Sequence, residues 1–116
     1  MSRHPSSAYK IVEAADWAEA REAGVFEGST VDRADGYIHL STRDQLEETA
    51  RRHYAGQDDL RLLLVDLTGL GGAVVWEPSR DGALFPHIYG PLPVQAVIRD
   101  DAFAVGDDGG ITSPWR

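Results

Sequence analysis

The run Arg61 to Leu67, RLLLVDL, is apolar nearly throughout. A strand of that composition is buried on both faces, so it needs a pairing neighbour on each side and cover above and below. It is therefore read as the central strand. The chain has 116 residues, of which 42% are hydrophobic. That suits one compact domain, which at this size buries about two-thirds of its unfolded surface. The expected organisation is a loose N-terminus over 1–8, a single domain over 9–105 and a polar tail over 106–116.

The other elements follow from local signals. Tyr9 to Val12 reads as a short strand. Asp16 with Glu19 has capping-box spacing and opens a helix that Gly24 stops, with Val25 and Phe26 as the apolar residues after the cap. Residues 27–36, EGSTVDRADG, read as turn, with Asp35-Gly36 tight. Tyr37 to Leu40 is the second strand. Thr42 and Gln45 form another capping box, opening a helix to about Tyr54 with Gly56 as its stop and Leu46, Ala50, His53 and Tyr54 on one face. Gly69 to Gly72 turns the chain into a strand from Ala73 to Trp76. Pro78 to Pro86 reads as loop, His87 to Tyr89 as strand, and Val94 to Arg99 and Phe103 to Val105 as the closing strands. Two helices in the N-terminal half and mostly later strands make an α+β domain with a mixed or antiparallel sheet.

Composition excludes several classes. There is no cysteine, which removes disulfides, thiolate metal sites and cysteine nucleophiles. The balance of 11 basic against 19 acidic residues gives −8, which counts against general binding to nucleic acid or anionic membranes. No apolar run approaches the length of a membrane span, and the N-terminus lacks the apolar stretch of a signal peptide. A cytoplasmic protein is expected. The glycines at 69, 71 and 72 lack the Gly-Lys-Ser/Thr ending of a phosphate loop.

Alternate residues of a strand share a face. In Tyr37-Ile38-His39-Leu40-Ser41, Ile38 and Leu40 take one face and Tyr37, His39 and Ser41 the other. In Phe85-Pro86-His87-Ile88-Tyr89, Phe85, His87 and Tyr89 align opposite Ile88. If these faces adjoin, they line a cleft with apolar walls and a few polar anchors, as small-molecule pockets do. His39 and His87 then become candidates for proton transfer, against the plain alternative of packed, hydrogen-bonded histidines. Trp76-Glu77-Pro78-Ser79-Arg80 adds Glu77 as a base or orienting carboxylate and Arg80 as a bidentate clamp for phosphate or carboxylate, against the alternative of a surface ion pair in an exposed turn. Ser41 and Thr42 read as strand-end and N-cap residues whose free amides suit an anion. His39, His87 and Glu77 lack the spacing of a metal site, so no metal is expected.

Those same strings, YKI, AGVF, DGYIHLST and WEPSR followed by LFPHIYGPLPV, resemble the small bacterial family catalogued as domain of unknown function family 952, over about Tyr9 to Ile98. More distantly, the strand, helix, glycine, loop and HLS order of Tyr9 through Ser41 resembles RNA 2′-phosphotransferases and other ADP-ribosyltransferase-like domains. That resemblance implies a split, bent β-sheet with NAD or an ADP-ribose moiety in the cleft. His39 and Ser41 match the second strand's motif and Tyr9 the first strand's tyrosine. Lys10 stands where those domains place a histidine, and Tyr37 stands in place of the first histidine of the second strand. Glu77 and Asp81 are positional candidates for the catalytic acid.

The resulting expectation is a cleft for a nucleotide-like or other small anionic ligand, with NAD or ADP-ribose group transfer or hydrolysis as the chemistry. His39, His87 and Glu77 are its catalytic candidates. Tyr9, Lys10, Tyr37, Ser41, Thr42, Gln45, Trp76, Arg80, Phe85 and Tyr89 are its ligand-binding candidates. The alternative is a non-catalytic ligand- or protein-binding module that keeps the fold without the chemistry, which the lysine at position 10 favours. The −8 charge directs the choice to a small-molecule ligand instead of an RNA.

Overall fold

The computed structural model describes residues 4–79 and 82–111. Its strands are β1 (Ser7–Glu13), β2 (Val25–Phe26), β3 (Ile38–His39), β4 (Leu60–Asp66), β5 (Val74–Ser79), β6 (Ala83–Ile88), β7 (Leu92–Pro93) and β8 (Val97–Phe103). Its helices are α1 (Ala14–Ala23), α2 (Thr30–Asp35) and α3 (Arg43–His53). The strands form three sheets, in the orders β1-β4-β8, β2-β7 and β3-β6-β5. Every strand pairing is antiparallel, so the sheet is not mixed. A bridge joins the first sheet to the third: the Tyr9 amide donates to the Ser41 carbonyl at 2.7 Å and the Ser41 amide to the Tyr9 carbonyl at 2.8 Å.

β4 is central, as its composition requires, with β1 and β8 on its two edges. Its alternation divides the core. Leu63 and Val65 join Ala8, Val12, Trp17, Ile38 and Ile88 on one face, while Leu60 and Leu62 join Ile11, Leu46, Ala50 and Phe103 on the other. α1 covers the first face and α3 the second, which is why one strand can be apolar on both sides. By the same alternation Lys10 lies between Ala8 and Val12 on the face that belongs to the first core, and it is buried there. A cation in that position needs a partner inside the protein.

Several local expectations are corrected. α1 begins at Ala14 after Glu13, with no side-chain cap, and Asp16 lies within its first turn. The chain reaches the helix straight from β1, and the Ala14 amide bonds to the Asp59 carbonyl, so tertiary pairing takes over from a side-chain cap. The stretch 27–36 holds a third helix, α2, where the sequence reading has only turn; Ser29 and Asp32 make its capping box. Thr42 and Gln45 cap α3 as expected, but its C-cap is Tyr54 and Gly56 serves the next turn. Leu46 and Ala50 are buried and Tyr54 half-buried, while His53 is exposed.

The expected loop from Pro78 to Pro86 is mostly strand. β5 runs to Ser79 and β6 starts at Ala83, pairing Trp76 with Pro86 and Glu77 with Phe85. Pro86 is tolerated in a central strand because the pairing with β3 ends there: the Leu40 amide donates to its carbonyl and the proline has no N–H to return. The two closing strands are one, β8, preceded by a 3-10 turn over Val94–Ala96. Residues 106–111 fold back, bridging Ile111 to Val105. Among the described residues no helix is long and apolar enough to cross a membrane.

Candidate functional site

His39 and His87 face each other directly across the β3–β6 ladder. On their strands Ile38, Leu40 and Ile88 go to the core, each at most 2% exposed, which turns the histidines to the opposite face. Their rings lie edge to face with centroids 5.6 Å apart. Tyr37 stacks on His87 at 4.1 Å, touches His39 at 4.6 Å and reaches Tyr89 at 5.3 Å. The two aromatic-histidine strands of the sequence reading thus form one cluster.

Each imidazole has a carboxylate on Nδ1. His87 Nδ1 lies 2.7 Å from Glu77 Oε1, which also accepts the Tyr89 hydroxyl at 2.7 Å. Glu77 is diagonal to His87 on the neighbouring strand, where a long side chain reaches across one pleat. His39 Nδ1 lies 2.6 Å from Asp32 Oδ1, and its Nε2 lies 2.9 Å from Asp35 Oδ2. Asp32 also receives the amides of Ser29 at 2.9 Å and His39 at 3.1 Å, and it is the partner that Lys10 requires, with Nζ at 3.0 and 2.9 Å from its two oxygens. Gly28 makes room for this carboxylate: its φ is +107°, and a Cβ there would stand 2.9 Å from that of Asp32.

The electrostatics follow from these contacts. Burial pulls Lys10 below its ordinary value, with Asp32 opposing. Burial would raise Asp32, but the hydrogen bond from His39, the charge of Lys10 and the Ser29 amide outweigh it and hold the carboxyl well below the usual range. Hydrogen bonds from Tyr89 and His87 hold Glu77 below its ordinary value. In return Glu77, with desolvation, pushes Tyr89 up to about 12. Desolvation, with Asp35 and Glu77, raises Tyr37.

A cleft of about 660 Å³ opens beside the cluster, lined by Tyr37, His39 and His87 together with Tyr9, Lys10, Ser41 and Phe85. Ser29, Thr30, Val31 and Asp35 contribute a wall from the α2 segment. Ser41 Oγ is 2.8 Å from Thr49 Oγ1. Thr42 and Trp76 are elsewhere, on an adjoining cleft of about 460 Å³, and His4 stacks on Trp76 at 4.2 Å. Gln45 is occupied by the α3 cap and donates to the Leu84 carbonyl at 2.8 Å. Arg80 and Asp81 lie outside the described residues. Asp32 and Asp35 are the site residues that sequence reasoning missed. The Ser29-x-x-Asp32 spacing was the available signal for the helix that carries them. Among the described residues no trio of histidine and carboxylate side chains is placed to hold a metal ion.

Residues 11–100 match the family described as "Protein of unknown function (DUF952)". The chain belongs to the DUF952 family. Among solved structures it is similar to the X-ray structure of CC0527 from Caulobacter crescentus, with 46% identity over 91% of this chain and 93% of that one and a TM-score of 0.87. The solution NMR structure of CC0527 from the same organism gives 46% identity, 92% and 91% coverage and a TM-score of 0.80. No curated protein matches the chain. The similarity to CC0527 supports the α+β single-domain fold, and the DUF952 description brings no activity with it.

Proposed function

We propose that this DUF952 protein binds a nucleotide-like small molecule in the 660 Å³ cleft and performs proton-transfer chemistry on it through His87, with His39 and Glu77 supporting. The observation that carries the reading is the Glu77–His87 pair beside an open cleft. An ionised carboxylate on Nδ1 holds the proton there and leaves Nε2 to accept one from a hydroxyl or a water. Tyr9 and Tyr37 line the cleft and supply aromatic surface for a base or other planar group.

Charge narrows the ligand. Lys10 spends its charge on Asp32, whereas Asp35 and Glu77 remain beside the histidines. That end of the cleft suits a neutral or cation-developing centre such as a ribose. A phosphate would instead look to Arg52, which also lines the cleft. With the ADP-ribosyltransferase-like resemblance, this favours group transfer or hydrolysis at an N-glycosidic bond of an NAD-type substrate. The C–N bond breaks with its electron pair going to the leaving ring nitrogen, the acceptor oxygen bonds to the ribose carbon, and the acceptor's proton passes to His87.

The test is calorimetry and thermal shift with NAD, ADP-ribose and 2′-phosphorylated nucleotides at millimolar concentration. Binding that His87→Gln weakens at least tenfold is expected. Folded protein that binds none of them rules the reading out. One observation favours a non-catalytic module instead: both ring nitrogens of His39 are engaged by carboxylates of the protein itself. On that reading His39→Ala and His87→Ala weaken binding and there is no turnover to lose.

A further inference from the structure

α2 is attached to the domain in an unusual way. Its single buried residue is Asp32, a carboxylate, while Val31 is 63% exposed. Surface helices are normally held by an apolar stripe. Here the attachment is polar and is made at both ends of the helix by one side chain. His39 meets Asp32 in the first turn at 2.6 Å and Asp35 in the last at 2.9 Å. Glycines flank the segment, Gly28 with φ +107° and Gly36 with φ +89°, so its two connections use backbone conformations that other residues rarely adopt. The segment also walls the cleft with Ser29, Thr30, Val31 and Asp35.

We propose that α2 is a lid over the cleft, closed by His39 acting as a two-point latch on Asp32 and Asp35. Both contacts are hydrogen bonds at the same time only while the ring carries two protons. When it carries one, the buried Asp32 keeps the Nδ1 proton and a bare Nε2 faces the Asp35 carboxylate, so the outer half of the latch is lost. The lid therefore loosens as pH rises. The other groups around the ring leave that direction in place. Lys10 on β1 is paired to Asp32, Glu77 on β5 is committed to His87 and Tyr89, and Tyr37 and His87 meet His39 through their rings. Only the role of α2 as a lid rests on reading the cleft as a ligand site; the latch is measured without ligand.

Amide hydrogen exchange followed from about pH 5 to about pH 8 reads the latch on the intact chain. The reporters are the Gly36 and Tyr37 amides, bonded to the Asp32 carbonyl at 2.9 and 3.2 Å, with β4 amides correcting for the intrinsic pH dependence of exchange. Protection of α2 relative to β4 should fall on the order of tenfold with rising pH, the loss of one charge-assisted hydrogen bond. Asp35→Asn, at an exposed position, should flatten that profile, because its amide can donate to the bare Nε2. Protection that is flat with pH in the wild type, or an Asp35→Asn profile with the wild-type slope, overturns the latch. If the latch is seen and calorimetry detects binding of NAD, ADP-ribose or a 2′-phosphorylated nucleotide that leaves α2 protection unchanged, the lid role is overturned while the latch stands. If calorimetry detects no binding, the ligand reading fails and the latch still stands.

Discussion

The β1-β4-β8 and β3-β6-β5 sheets are each three strands wide and antiparallel, and they are stabilised differently. The first is apolar on both faces of its central strand, with Leu62, Leu63 and Val65 essentially inaccessible. The second sends Ile38 and Ile88 to the same core but gives its other face to Tyr37, His39, Glu77, His87 and Tyr89. One sheet supplies stability by burial, and the other spends a face on hydrogen-bonded side chains beside a cleft. Lys10 joins the two. It belongs to a strand of the first sheet, and its charge serves Asp32, which holds α2 and His39.

Breaking that junction should have the largest effect. Lys10→Met leaves the Asp32 carboxylate buried without its cation, at a cost of about 3–5 kcal/mol measured by urea denaturation. Adding Asp32→Asn should recover part of that loss; no recovery would mean that Lys10 acts through packing. The pH dependence has a definite sign. Because Asp32 lies below its ordinary value in the folded state, its contribution is complete above the ordinary carboxylate range and is lost as pH falls through the folded value. Lys10→Met should therefore shrink the acid limb of the stability curve.

Leu63→Ala tests the apolar sheet. With the side chain fully buried, the expected loss is about 2–5 kcal/mol. The Tyr89 ionisation, near 12, should not move, because the polar face does not depend on that contact. A shift of Tyr89 in this variant would show that the two sheets are more tightly coupled than their packing implies.

Glu77→Gln should have the smallest effect on folding, leaving the denaturation midpoint where it is. Its signature is spectroscopic: in an ultraviolet titration Tyr89 should return from about 12 toward its ordinary 10.0, since Glu77 is the main cause of the rise. Tyr54, raised to about 12 chiefly by burial, should stay in place and serve as the internal control.

Much of this arrangement is legible along the chain. The face partition at Tyr37 to Ser41 and Phe85 to Tyr89 follows from strand alternation, and the pairing of His39 with His87 shows that the two faces do adjoin. α2 is less legible. Six residues, bounded by glycines and carrying no apolar stripe, read as turn by composition. Its anchor is Asp32, whose cation Lys10 lies 22 residues away on β1, and a local pattern cannot report such a partner. His39 is near in sequence, four residues beyond Asp35, but its role depends on Asp32 being buried. The loop expected at Pro78 to Pro86 failed for a similar reason, because proline is a local signal against strand and the ladder simply ends at Pro86 on one side. Thr42 and Gln45 read as a cap in the sequence, and the cap is what occupies them. That places them away from the His39–His87 cluster.

By itself the sequence determined the central strand, the α+β class, the cap of α3 and which face of each histidine strand turns away from the core. These follow from periodicity and nearest-neighbour chemistry, which act over a few residues. Only the tertiary structure decided that Lys10 is a buried partner of Asp32, that each histidine has a carboxylate on Nδ1 and that α2 hangs on His39. Those contacts join residues across strands and helices. Whether a charge is buried, and by what it is matched, depends on the packed molecule and not on the residues beside it in the chain.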